Sequence, residues 1–592
     1  MRIEAIVCNE DTERLMRFAE SAQLLDDELW DRVTAQFGRP SDASDNGWRG
    51  EYWGKLMRSA CLVYKYTKNE SLYERLFRSV NALLKTQDAA GRFSTYPADR
   101  EFVGWDMWCR KYILVGLEYF LDICRDEMTV ARITKAMCRH CDYIIDHIGP
   151  SGEGKIPITD TSDIWGGMNS CSILKSFVCM YKRTGNEAYL RFAAYIVSEG
   201  GSKGFDIFNA ARLGILSPYE YPVNKAYEMI SCFEGLLAYG EAVGNEEYIR
   251  TCRKFADAVL DTDFTIVGGL GCRCEEFNHS TTVQASLTDE LMQETCVSVS
   301  MLLYLNELMR FYDDRRYADA AETIYCNLYA GAANTSRQTS NFGMPYDSYS
   351  PLIDRRRNLV VGGRKDIAPN VYYGCCAAMG AAGIGVAPSM ALSAGEQLTV
   401  RLYNFVRAEL SVNGCRATLS VQTAYPVEGN IRFVLTADPN VRVPIRFRRP
   451  GWNTRYSVNR NGRAETCSEC EGYIVLNEPM HGGDTIEIAF DIPVKCLLAC
   501  AEDGTERFAL QRGPVVLAAD SRLTPTDRVY TVPVLPDGTV DVVGCNRCDF
   551  APRVYNICLR SGETVPLVEY AYAGKEWDEN IRVSVWFTSG TE

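Results

Sequence analysis

Histidine is nearly missing from this chain: His140, His147, His279 and His481 are the only four in 592 residues. A site built on several imidazoles, or a mechanism that uses them as bases, has little to draw on. The chain also lacks an apolar leader. Its start, MRIEAIVCNEDTERLMRF, carries a short apolar run soon broken by charge and no small-residue cleavage site. Basic clusters with interleaved aromatics are absent too, and 77 acidic against 63 basic residues leave a net charge of −14. That balance argues against nucleic acid or an anionic membrane as partner. One long uncharged segment does occur, VYYGCCAAMGAAGIGVAPSMAL at 371–392. Its Gly, Ala and Pro388 make it weakly hydrophobic, so it reads as a buried helix and not as a membrane span.

What is present is an ordinary globular composition, 46% hydrophobic and 24% charged, in a chain long enough for two to four domains. Twenty-four cysteines without an export signal point to reduced thiols and a cytoplasmic location. Most of them, such as Cys61, Cys171 and Cys232, sit in apolar helical patterns as small core residues.

The first two thirds repeat. YKYTKNESLYERLF, LDICRDEMTVARI, YKRTGNEAYLRFA, YGEAVGNEEYIRTC and RFYDDRRYADAAE each end one helical pattern and start another at an Asn or Asp able to cap it. The turn residues Asn69, Asp126, Asn186, Asn245 and Asp314 lie 57 to 69 residues apart, a period that suits one helical hairpin plus its connection. Five hairpins, and a sixth from terminal material, would close an α/α toroid with a pocket at one end. After about residue 395 the apolar period becomes two, as in QLTVRLYNFVRAEL and DTIEIAFDIPV, which indicates β-sandwich material. The expected class is α+β multidomain: an (α/α)6 barrel at 1–395, a β-sandwich at 396–500 and a second small sandwich at 501–592.

Chemistry concentrates in two places. The polar loop NFGMPYDSYSPLIDRRRNLVVGGRKDIAPNVYYG, long and without an evident element, leads straight into Cys375 and Cys376. Upstream, Glu294 and Cys296 stand where a helical pattern begins. Adjacent cysteines make only a strained disulfide, whereas one carboxylate and three thiolates suit tetrahedral zinc. The spacing alone is weak support, because the cluster is not laid out as paired CxxC motifs. Trp48, Tyr52, Trp53, Trp105 and Trp108 read equally as core or as the aromatic floor of a sugar pocket.

The combination CEEF, ETC and GCC resembles the β-L-arabinofuranosidases of glycoside hydrolase family 127. GWRGEYWGKLMR, WGGMNS, LYNFV, RFRRPGW, GGDTIEIAF and ALQRGPVVLA resemble family blocks in the same order. The resemblance implies a retaining exo-glycosidase on an (α/α)6 barrel followed by β-sandwiches. It implies zinc held by Glu294, Cys296, Cys375 and Cys376, with Cys375 as nucleophile and Glu275 as general acid/base. Glu276 is an adjacent alternative, and the position of Phe277 favours Glu275. The implied partner is a small oligosaccharide or glycoside, with a homodimer left open.

The chain departs from the family pattern in ways that bear on substrate. Ala377 and Ala378 replace a Pro-Pro pair, and Lys111 replaces an early histidine. Tyr219, Glu220 and Tyr221 stand where another sugar-binding histidine belongs. Lys111, Trp105 and Tyr221 are therefore candidate substrate contacts, and Arg110 with Lys111 raises an acidic or branched pentose-like sugar as an alternative. Two further readings are a silent carbohydrate-binding relative and a lyase or isomerase on the same toroid, the latter disfavoured by the scarce histidines.

Overall fold

The computed structural model describes residues 1–286, 293–335, 343–357, 360–575 and 580–590. All five expected turn residues are helix N-caps. Asn69, Asp126, Asn186, Asn245 and Asp314 each accept a hydrogen bond from a backbone N–H two or three residues on, which satisfies a donor the first helical turn would leave free. The helices that follow, Glu70–Leu84, Glu127–His147, Glu187–Ser198, Glu246–Thr262 and Arg315–Ile324, each bury one stripe and form an outer layer.

Inside them lie six helices: α1 (Arg49–Thr67), α2 (Asp106–Leu121), α3 (Leu174–Thr184), α4 (Ala226–Val243), α5 (Thr295–Leu308) and α6 (Cys375–Ala391). α1, α4, α5 and α6 are buried on nearly every side, as an inner ring requires. Each packs on the next and α6 returns to α1, so the ring closes. The uncharged segment at 371–392 is thus an inner helix whose small residues permit close approach. A Cβ on Gly385 would lie 2.6 Å from the Leu62 side chain of α1. The sixth pair joins the two ends of the barrel region, because α6 packs on the early helix Glu10–Ala19. Among the described residues no helix is long and apolar enough to cross a membrane.

A two-sheet sandwich follows. Its seven-stranded sheet includes Arg2–Cys8, which pairs antiparallel with Phe405–Val412, so the chain's first residues leave the barrel and join the sandwich. The facing five-stranded sheet runs from Leu392–Ala394 to Cys467–Cys470. The last region differs from expectation. Among the described residues its strands connect into one eight-stranded sheet, and that sheet starts at Val494–Cys500 rather than after residue 500. One apolar cluster joins it to barrel residues Val267 and Leu352, and another fills its own interior.

The RFRRPGW block docks sandwich to barrel. Arg448 is fully buried and pairs with Asp319 and Glu322 of the outer helix Arg315–Ile324, while Tyr425 donates to Glu322 at 2.8 Å. Arg401 reaches Asp313 at 2.8 Å in the same interface. The polar loop entering α6 is not structureless: Tyr349–Ser350, Lys365–Ala368 and Val371–Tyr373 are short strands. Residues 341, 342, 358 and 359 of that loop lie outside the described residues.

Candidate active site

The inner helices present their N-terminal ends at one mouth of the ring, around a cavity of about 320 Å³. Trp48, Trp105, Lys225 and Glu294 line it, and each is the residue immediately before an inner helix. Cys375, the first residue of α6, lines it as well. Helix N-termini favour negative charge nearby, so this mouth suits thiolates and carboxylates.

Two local devices bring the sulfurs together. Gln293–Glu294 pairs with Tyr349–Ser350, which sets Glu294 opposite Tyr349 and starts α5 with Cys296 in its first turn. The Lys365–Ala368 and Val371–Tyr373 hairpin then delivers Gly374 to the start of α6. As a result Glu294, Cys296, Cys375 and Cys376 converge, with all four donor atoms within 4.8 Å of one another and all four residues buried. Cys375 Sγ lies 3.8 Å from Cys376 Sγ and 3.5 Å from Glu294 Oε1, and Cys376 Sγ lies 3.3 Å from the same oxygen. Tetrahedral zinc with Zn–S near 2.3 Å would place two sulfurs about 3.8 Å apart, and a sulfur and an oxygen about 3.6 Å apart. The donor set and its spacing therefore fit that ion.

Electrostatics agree. Burial pushes Glu294 up, helped by Glu275 and Cys375. Hydrogen bonding to Cys296 raises Cys375, and burial raises Cys376. Cys296 moves the other way. Burial opposes its ionisation, but hydrogen bonds from Cys375 and Cys376 and the Lys55 ammonium, 3.9 Å from its sulfur, bring it to about 7. Burial and mutual repulsion thus disfavour several anions here at once, and a bound cation would offset both.

Gly363 shapes the cavity wall beside the nucleophile candidate. It has φ +54°, and a Cβ there would lie 2.4 Å from Cys375 Sγ. Trp48 Nε1 and the Tyr52 hydroxyl both donate to its carbonyl, at 2.8 and 2.6 Å.

Glu275 lies in the same cavity, held from two sides. Lys225 Nζ is 2.6 Å from Oε2, and the Tyr349 hydroxyl donates to Oε1. Its backbone is left-handed, φ 61°, following Cys274 at 51°. Two successive non-glycine residues in that region are strained, and such strain gathers at functional sites. Glu276 does not line the cavity; its backbone bridges Arg273 and Lys225.

The aromatic question divides by residue. Trp48, Trp105 and Trp108 line the cavity with Trp165, and Trp105 packs edge-on against the other three. Tyr52 and Trp53 are buried core, Trp53 donating to Ser79 at 2.9 Å.

Two expected substrate contacts are corrected. Lys111 is one helical turn deeper than Trp108, behind its ring, with Nζ 3.2 Å from Ser172 Oγ. Tyr221 is buried against Phe205 and does not line the cavity. Arg110 is buried between Asp106 and Glu101 and is not free for a substrate carboxylate. Sequence reasoning missed Glu51, Lys55, Lys225, Tyr227 and Glu228, which do line the cavity. A signal existed: Glu51 and Lys55 are opposite charges four apart in the inner helix α1, both buried and 3.4 Å from each other.

Residues 3–385 match the family described as Beta-L-arabinofuranosidase, GH127 catalytic domain, and residues 397–492 match the GH127 middle domain. The chain belongs to glycoside hydrolase family 127. A curated relative, the non-reducing end beta-L-arabinofuranosidase of Bifidobacterium longum subsp. longum, is 23% identical over 386 residues, covering 59% of this chain and 56% of its own length. This family 127 chain thus spans little more than half of that relative. Among solved structures, the GH127 beta-L-arabinofuranosidase Ara127N-Se of Geobacillus stearothermophilus T6 superposes over 100% of both chains with TM-score 0.74 at 16% identity. A second GH127 beta-arabinofuranosidase covers 99% of this chain and 98% of its own, with the same TM-score and identity. These structural likenesses establish the family 127 architecture of barrel and β-rich domains.

Proposed function

We propose that this chain is a retaining, exo-acting glycoside hydrolase of the β-L-arabinofuranosidase type, with Cys375 as nucleophile and Glu275 as general acid/base. The observation that carries the reading is the convergence of Glu294 and three thiols on the wall of a tryptophan-lined cavity that also holds Glu275. Glu294, Cys296, Cys375 and Cys376 would hold zinc. Bound there, zinc would supply the positive charge that keeps the thiols ionised at neutral pH. In the first half-reaction Glu275, protonated, donates to the departing glycosidic oxygen while Cys375 sulfur attacks the anomeric carbon. Glu275 then takes a proton from the water that cleaves the thioglycosyl bond, which restores the thiolate and retains configuration. Tyr349 and Lys225 hold the Glu275 side chain in position. The exo mode rests on likeness to the non-reducing end relative.

The test is zinc content of protein purified without added metal, for wild type, Cys375→Ser and Cys376→Ser, with turnover of 4-nitrophenyl β-L-arabinofuranoside measured alongside. About one zinc per chain, lowered in both variants, with turnover lost in Cys375→Ser, is the expected result. Wild-type turnover in folded Cys375→Ser would refute the thiolate mechanism.

A further inference from the structure

Among the described residues, one carboxylate oxygen deep in the cavity has no hydrogen-bond partner. Lys225 is taken by Glu275, and Lys55 faces Glu51 and Cys296. Glu51 accepts from Trp108 Nε1. At the rim, Arg364 stacks on the Tyr372 ring, 3.7 Å from its centroid. Glu228 differs. It stands in the first turn of α4, is 4% exposed and lines the cavity, yet its Oε2 is buried with no hydrogen-bond partner among the described residues. A buried carboxylate oxygen without a donor is destabilising, and each such atom in a native fold asks for an explanation.

We propose that Glu228 is a specificity-determining residue that accepts hydrogen bonds from hydroxyl groups of an uncharged sugar bound beside Cys375 and Glu275, and that it excludes sugars carrying a carboxylate. This deepens the glycosidase reading and rests on it for the place of the sugar. The chemistry follows from the lining. Sugar hydroxyls are the donors Glu228 lacks, and the tryptophan faces cover the C–H surface of a ring. A uronate carboxylate would meet Glu51, Glu228, Glu275 and Glu294, while the cavity's ammonium groups are already paired. A cationic sugar would in turn meet Lys55 and Lys225. Arg110 and Lys111, the cations on which the acidic-sugar alternative rests, both lie outside the cavity, and its guanidinium at the rim is Arg364.

Calorimetric binding of L-arabinose and D-galacturonate to the protein as purified separates these cases, using wild type, Glu228→Gln and Glu228→Ala. Wild type should bind L-arabinose, and Glu228→Ala should bind it about 10- to 100-fold more weakly, the range of a lost charge-assisted hydrogen bond. Wild type should not measurably bind D-galacturonate, and Glu228→Gln, freed of the repelling charge, should reduce the preference for the neutral sugar at least about tenfold. Both variants should melt no lower than wild type, because an unsatisfied buried group is removed. The proposal is overturned if L-arabinose affinity is unchanged within twofold in both variants, if wild type binds the uronate as tightly as L-arabinose, or if wild type binds no L-arabinose. Turnover of the nitrophenyl arabinofuranoside is read separately. Its absence in wild type defeats the glycosidase reading, whereas the binding comparison decides the role of Glu228.

Discussion

Gly363→Ala is the substitution that most directly tests whether the loop before α6 sets the nucleophile. The added Cβ would sit 2.4 Å from Cys375 Sγ, where ordinary contacts between such atoms lie near 3.5–4.0 Å, so one of them must move by about 1 Å or more. The backbone cannot readily yield. Its φ of +54° costs a residue with a side chain about 1–2 kcal/mol, and Trp48 and Tyr52 both hold the Gly363 carbonyl. The sulfur is therefore the atom that shifts. A displacement of about 1 Å at a reacting group lowers turnover on the order of 100-fold. Zinc retention against a chelator should fall in parallel, because on the proposed reading the same sulfur would hold the metal. Gly395→Ala is the control, since nothing lies within 4 Å of its added methyl. Steady-state kinetics, metal analysis and a thermal melt decide it. If folded Gly363→Ala keeps wild-type kcat and zinc content, the loop does not position Cys375 and the reasoning fails.

Tyr349→Phe removes a donor to Glu275 while Lys225 stays in place, so kcat should fall about tenfold without loss of folding, as steady-state kinetics would show. Arg448→Ala leaves Glu322 and Asp319 without their buried partner and should cost about 3–5 kcal/mol in denaturant unfolding; a loss below 1 kcal/mol would show that the barrel–sandwich contact does not depend on the pair. Burial lowers Lys111 to about 7, below its unfolded value, so the unfolded chain binds the extra proton between that pH and about 10.4. Stability from this group therefore rises with pH across that window and is lost as pH falls toward 7. Lys111→Met should flatten the dependence and raise the melting temperature at pH 7, with turnover changed less than about twofold because the side chain lies behind Trp108.

Much of the architecture was legible because it depends on contacts close in sequence. An Asn or Asp side chain caps the helix it precedes whatever lies around it, so Asn69, Asp126, Asn186, Asn245 and Asp314 marked the hairpins correctly. The convergence of Glu294, Cys296, Cys375 and Cys376 was suggested chiefly by resemblance, since two helices and a long loop separate Glu294 from Cys375. Period-two strands announced β domains, but not which sheet each joins. Arg2–Cys8 pairs with a strand some four hundred residues later, and no local pattern encodes such a partner.

The sequence by itself determined capped helical hairpins and the β regions that follow them, and it set sulfur and carboxylate groups at the starts of two helices. Tertiary structure alone decided which charges face the substrate. Lys111 and Lys225 look interchangeable as isolated lysines, but one lies a helical turn below Trp108 and the other stands before α4 against Glu275. A helix rises about 1.5 Å per residue and three residues make nearly a full turn, so Lys111 shares the face of Trp108 but lies about 4.5 Å deeper, beneath its ring. How far the cavity reaches down the ring is set by how six helices close on one another: Glu228, in the first turn of α4, lines it, and Lys111, covered by Trp108, does not.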